Sequence, residues 1–282
     1  MKRIITQNQI INFENHLHNE EKSSATIEKY IRDITAFFLW LAGREFDKSD
    51  VITYKEHIMK SYRTASVNSM LSSLNSFFAF CEWYECKVKT LKCQKQLFAR
   101  EERELTKAEY ERLLTAAQSK KNKRLYYIMQ TICASGIRIS ELPFITVDAV
   151  KMRRAEVRCK GKNRTVLLPK DLCKLLKEYI AEQHITRGSV FISKNGKPLN
   201  RTNIWADMKK LCDSANVSRS KVFPHNLRHL FARTFYSQQK DIVRLADLLG
   251  HSNVNTTRIY TMESSMIHRH KIQKMGLVCM RA

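Results

Sequence analysis

The sequence predicts a mainly α-helical chain with one small β-hairpin, arranged as two domains. Apolar residues recur at helical spacing, as in Ile27, Tyr30, Ile31, Ile34, Phe37, Phe38 and Leu41. Only 7 Gly and 4 Pro interrupt 282 residues of which 43% are hydrophobic, so packed cores are expected with little turn punctuation. Two short β-type runs flank Gly161-Lys162-Asn163, which is a hairpin signal. The length suits two ordinary domains.

The elements follow in order. A weak helical segment over 5–18 precedes a strong helix over 24–42, closed where Gly43 permits a left-handed turn. Asp47 can cap a third helix running to about Lys60. Thr64 or Ser66 opens a fourth, in which Val67, Met70, Leu71, Leu74, Phe77, Phe78 and Cys81 share a face. Residues 1–98 therefore form a small four-helix domain, and its aromatic side chains are assigned to the core rather than to stacking on bases. Periodicity lapses between Lys87 and Arg103, and residues 99–104 are taken as the linker, either solvated or laid along a phosphate backbone.

Thr106-Lys107-Ala108-Glu109 is a capping box, so a second domain spans 105–282. Helices are expected over 123–134, 171–183, 201–213, 224–237 and 240–249, with Pro224 at a first helical position and Gly250 at a closing one. Strands are expected over 156–160 and 164–168.

Composition excludes several classes. The longest apolar run, Ala36–Ala42, falls far short of the roughly 20 residues of a membrane helix. Thr6, Gln7, Asn8 and Gln9 interrupt any secretory apolar region, and eight cysteines without a Cys-x-x-Cys point to reduced thiols, so a cytoplasmic protein is expected. Charge is uneven: residues 1–98 carry net +3 and residues 99–282 net +20. Such a field attracts polyanions through counterion release, which makes nucleic acid the expected partner over an anionic membrane.

Five segments of the basic half carry residues suited to breaking a phosphodiester. They are Gly136-Ile137-Arg138-Ile139-Ser140-Glu141-Leu142, Cys159-Lys160-Gly161-Lys162, His225-Asn226-Leu227-Arg228-His229, Leu248-Leu249-Gly250-His251 and Thr256-Thr257-Arg258-Ile259-Tyr260. Alone, each has a plain alternative: Arg138 pairing with Glu141 three residues on, or Tyr260 as a core residue with a bonded hydroxyl. Strand breakage through a covalent intermediate needs a nucleophile, an acid for the leaving oxygen and fixed positive charge around the phosphate. Tyr260 can be the nucleophile, with Arg138 and Arg228 as permanently charged forks on phosphate oxygens. His225 and Arg228, three apart, share a helix face. His251 can donate to a nonbridging oxygen or help Tyr260 lose its proton, and the two histidines remain interchangeable.

Order and spacing together, with nine positions from His251 to Tyr260, resemble the tyrosine recombinase (phage-type integrase) family over about residues 105–265. The resemblance implies a two-domain clamp on double-stranded DNA, a helical core-binding domain and a catalytic domain. It implies a 3′-phosphotyrosyl intermediate, a homotetramer when two sites are synapsed, and no cofactor or metal. It also carries the general-acid role to Lys160, with Lys162 two residues on as the alternative. The tail after Glu263 either docks on a neighbouring subunit or packs on its own domain. Met262, Pro143 and Phe144 depart from the usual pattern without removing a catalytic group. The short stretch before the Ser24 helix favours a simpler recombinase: a mobile-element integrase, a resolvase or a Xer-like enzyme.

Three competing readings are weighed. His225 and His229, four apart, could ligate zinc, but the segment lacks the Glu of a His-Glu-x-x-His site. A non-catalytic DNA-binding module would bind without forming an adduct. A type IB topoisomerase would use similar residues to relax supercoils without pairing two sites.

Overall fold

The computed structural model describes residues 2–92, 101–159, 162–193, 195–261, 270 and 272–275. Its contacts divide the chain into Met1–Lys95 and Gln96–Ala282. No described helix is long and apolar enough to cross a membrane.

In the first unit, α1 (Gln7–Asn19), α2 (Ser24–Leu41), α3 (Lys48–Ser61) and α4 (Thr64–Phe80) surround an aromatic core. Thr6 with Gln9, and Asp47 with Asp50, form capping boxes that satisfy free N–H groups at the starts of α1 and α3. Phe13, Phe37, Phe46, Phe77 and Phe78 are wholly buried, with Phe37 edge-on to Phe46 at 5.5 Å. These rings are core, each of a size whose truncation costs about 3–5 kcal/mol. Helix α2 closes on Ala42 at φ 51°, one residue before Gly43.

The second unit begins with a 3-10 turn at Glu101–Arg103, followed by α5 (Lys107–Ser119), which the Thr106–Glu109 capping box opens, and α6 (Lys123–Ser135). A 3-10 turn at Ile139–Phe144 and α7 (Val147–Met152) lead into β1 (Arg154–Cys159) and β2 (Lys162–Leu167). Helices α8 (Lys170–Glu182), α9 (Arg201–Lys209), α10 (Cys212–Ala215), α11 (Pro224–Gln239) and α12 (Ile242–Leu249) follow. Two 3-10 turns, Val254–Thr256 and Arg258–Tyr260, follow α12.

The strands are antiparallel, from Arg154 opposite Leu167 to Cys159 opposite Lys162. This corrects the expected hairpin, because Lys162 and Asn163 belong to β2 rather than to the turn. Ala155, Val157, Val166 and Leu168 are all buried, and their period of two decides which face meets the core. The helix expected over 201–213 breaks after Lys209. There the chain bends so that Leu211, Cys212 and Ala215 stay buried, and Arg112 donates to the carbonyls of Ala215 and Asn216. The turn at 139–144 and α7 were not expected: Pro143 obscures the first, and the second is only six residues long.

Candidate active site

Helix α6 ends on Gly136, left-handed at φ 64°, where a Cβ would stand 2.4 Å from Cδ1 of Phe231. The close approach and the backbone angle both require glycine here. The turn brings Arg138 to the start of the 3-10 segment. Its backbone N–H donates to Glu141 Oε2 at 2.7 Å and its Nη1 to Oε1 at 2.9 Å. Glu141 is 1% exposed, whereas the Arg138 side chain remains 39% exposed. The sequence alternative for Arg138 is therefore real, yet the pairing leaves part of its guanidinium facing outward.

Arg164 of β2 completes this group. Its Nη2 donates to Glu141 Oε2 at 2.6 Å and its Nη1 to the Leu248 carbonyl at 2.6 Å. Burial pushes the Glu141 carboxyl up, but hydrogen bonds from Arg164 and the Arg138 backbone, with their charges, outweigh it and hold it below the ordinary value.

Helix α11 starts with Pro224, whose missing N–H costs nothing in a first turn. One turn later Arg228 is 1% exposed. Its Nη1 donates to the Gly136 carbonyl at 2.6 Å, and its Nη2 to the Leu249 carbonyl at 2.7 Å and to His251 Nε2 at 3.0 Å. Burial, then the charge of Arg138, lowers its pKa to about 10, so it stays a cation at neutral pH.

The C-terminus of α12 organises all three arginines. Its unsatisfied carbonyls at 248, 249 and 250 accept from Arg164, Arg228 and, at 3.4 Å, Arg138. A helix C-terminus carries partial negative charge, which suits cations. Gly250 turns left-handed at φ 63°, and a Cβ there would stand 2.3 Å from Arg164 Cδ.

His251 follows at once. Because Nε2 faces the donor Nη2 of Arg228, it accepts, and Nδ1–H donates to Thr257 Oγ1 at 2.9 Å. Burial and the charges of Arg228 and Arg138 lower its pKa to about 4, consistent with that neutral form. Tyr260 is buried, its ring stacked on His251 at 6.3 Å and edge-on to His229 at 4.9 Å. Burial pushes the phenol up, while the Arg228 charge, a hydrogen bond with Arg228 and the Arg138 charge pull against it. His225 lies at the solvent-facing rim of α11, its ring 4.5 Å from His229, and partial desolvation with the Arg228 and Arg138 charges lowers its pKa.

The structure thus brings together Arg138, His225, Arg228, His251 and Tyr260. Lys160 lies outside the described residues, as does most of the tail after Thr261. Among the described residues no group of three or more His, Cys, Asp or Glu side chains could hold a metal ion, so the His225–His229 pair lacks a third donor. Arg164 was missed in the sequence. Its only signal was a charged residue inside a β-type run, on the period-two face of Val166 and Leu168.

Residues 103–266 match the model described as phage integrase family, and residues 10–85 match the phage integrase N-terminal SAM-like domain. The tyrosine recombinase XerA of Thermococcus kodakarensis is 29% identical over 271 residues, covering 93% of each chain. TnP I resolvase of Bacillus thuringiensis is 25% identical over 284 residues, covering 93% of this chain and 97% of that one. In fold, the chain is similar to XerH recombinase bound to palindromic difH in a post-cleavage complex, with TM-score 0.72, 18% identity and coverage of 97% and 84%. It is likewise similar to a lambda integrase dimer bound to a COC′ core site, with TM-score 0.74, 17% identity and coverage of 92% and 77%.

Proposed function

The chain belongs to the phage integrase family and is a tyrosine-type site-specific recombinase; on that premise we propose that it cuts and rejoins double-stranded DNA through a 3′-phosphotyrosyl intermediate on Tyr260. The observation that carries this reading is the convergence on one phenol of two guanidinium groups from distant parts of the sequence. Both act on the Tyr260 phenol through their charges, Arg228 the more strongly.

In the proposed reaction the Tyr260 phenol gives up its proton to water as its oxygen attacks the scissile phosphorus, a P–O bond to tyrosine forms, and the bond to the 5′ oxygen breaks. Arg138 and Arg228 hold the nonbridging oxygens as charge builds on them, a service that guanidinium supplies without a metal. His225, at the rim, gives a further hydrogen bond. His251 is engaged at both ring nitrogens, so its part is to orient Arg228 rather than to take the phenol proton. Lys160 protonates the leaving 5′ oxygen, a role that rests on the motif. The phosphodiester energy is kept in the tyrosyl bond, and attack by a partner strand's 5′ hydroxyl reverses the step.

Strand exchange between two sites implies a homotetramer on DNA, each chain divided at 1–98, a linker at 99–104 and 105–282. A mobile element's integration, excision or resolution is the proposed setting, as supported by likeness to TnP I resolvase and to a Tn1549 transposon integrase in complex with transposon right end DNA. The test is to capture detergent-resistant protein–DNA adducts from genomic fragments, sequence them, and offer nicked duplexes of that sequence. An adduct to a 3′ phosphate, with a free 5′ hydroxyl, is expected. No adduct, or one to a 5′ phosphate, refutes the reading.

A further inference from the structure

Of the three imidazoles near Tyr260, two touch its ring, and only His229 does so with a buried nitrogen left open. His251 has both nitrogens engaged, Nε2 by Arg228 and Nδ1 by Thr257. His225 sits at the rim and touches His229 rather than the phenol. His229 packs edge-on to the Tyr260 ring at 4.9 Å and an interplanar angle of 89°. Its Nε2 is buried and has no hydrogen-bond partner. Folded proteins rarely leave a buried polar atom unpaired, and such an atom calls for a use.

We infer that His229 is a positioning residue for the nucleophile: its ring holds Tyr260 edge-on, and its Nε2 accepts the phenol hydrogen as the oxygen turns toward phosphorus. The inference rests on the reaction proposed above. The charged and titratable groups that face His229 are His225, Arg228 and Arg233 on α11 and Tyr260 on the following turn. Burial, then the His225, Arg233 and Arg228 charges, lowers its pKa to about 3. The ring is therefore neutral at working pH and offers one lone pair. Such an imidazole is a weak base but a competent hydrogen-bond acceptor, and it restrains the phenol without adding a cation beside Arg228.

The experiment measures single-turnover adduct formation on the nicked duplex between pH 7 and 9, below the Arg228 value of about 10, with DNA half-saturation measured in parallel. His229→Phe keeps a ring and loses the acceptor; His229→Gln keeps an acceptor and loses the ring. The expected result is a fall of about tenfold or more for His229→Phe at pH 7, with half-saturation within twofold of wild type. The deficit should narrow toward pH 9, because the ionised fraction of the phenol, which needs no acceptor, grows with pH, and His229→Gln should recover part of the rate. Wild-type rates in His229→Phe, or a deficit equal at every pH and unrelieved by Gln, overturn the inference while the proposed reaction stands. A wild-type protein that forms no adduct overturns the reaction itself.

Discussion

Arg164 and Glu141 meet at 2.6 Å in the interior of the second unit, tying the second hairpin strand to the turn that carries Arg138. Glu141 takes both guanidinium groups on one carboxylate. Removing one partner of a buried pair leaves an uncompensated charge, at a cost of about 3 kcal/mol or more. Because Arg138 still holds the carboxylate, Arg164→Ala should lower the stability of the second unit by part of that, about 2 kcal/mol in urea unfolding, and should slow adduct formation by loosening the turn that carries Arg138. An unchanged unfolding midpoint would show that the pair does not hold this region.

The same carboxylate predicts a pH dependence. The folded-state pKa of Glu141 lies below its ordinary value of 4.5, so its stabilisation is fully present above about 4.5 and is lost as pH falls through the lower folded value. The stability gap between wild type and Glu141→Gln should be constant at neutral pH and should shrink below pH 4.5. The histidines act with the same slope. His229 and His251 have folded pKa values of about 3 and about 4, both below 6.5, so the unfolded chain binds more protons between those values. Stability should fall as pH drops from 6.5 toward 4, and less steeply in His229→Phe.

Gly250 should tolerate no side chain. Alanine there must adopt φ 63° and place its Cβ 2.3 Å from Arg164 Cδ. The backbone alone costs about 1–2 kcal/mol, and displacement of Arg164 disturbs the carbonyl row that holds all three arginines. Gly43→Ala is the control: it has φ 76° with nothing within 4 Å, so it should cost only the backbone part and leave adduct formation intact. Equal effects of the two substitutions on the adduct would refute the role given to the end of α12.

The general acid can be identified chemically. A substrate with sulfur in place of the leaving 5′ oxygen departs as a thiolate and needs no proton. Lys160→Ala should be strongly impaired on ordinary DNA and restored on the sulfur substrate, whereas Arg228→Ala should stay impaired on both. Restoration of Lys162→Ala instead would move the role to Lys162.

Much of this arrangement was legible in the sequence because helices and capping boxes leave local signals. The Thr106–Glu109 box, Pro224 at the start of α11 and Gly250 at the end of α12 each stand where local chemistry requires them. The five motif segments, each open to a plain alternative alone, were visible through their order and spacing. Arg164 was not, because its partners lie 23 and 84 residues away and only tertiary packing brings them together. His229 was weighed as a metal ligand beside His225, since i,i+4 spacing shows two rings on one face but not the phenol that packs on them. The hairpin turn was misplaced because Gly161-Lys162-Asn163 resembles a turn locally, while the buried faces of Ala155, Val157 and Val166 favour longer strands.

The central claim is that the Tyr260 oxygen carries the DNA. Its most direct test is to digest the detergent-resistant adduct with nuclease and protease and locate the nucleotide by mass spectrometry. The account predicts a nucleotide 3′-phosphate on the peptide containing Tyr260, absent from Tyr260→Phe, which should still bind DNA with nearly unchanged affinity. A nucleotide on any other residue, or an adduct that survives Tyr260→Phe, would contradict it.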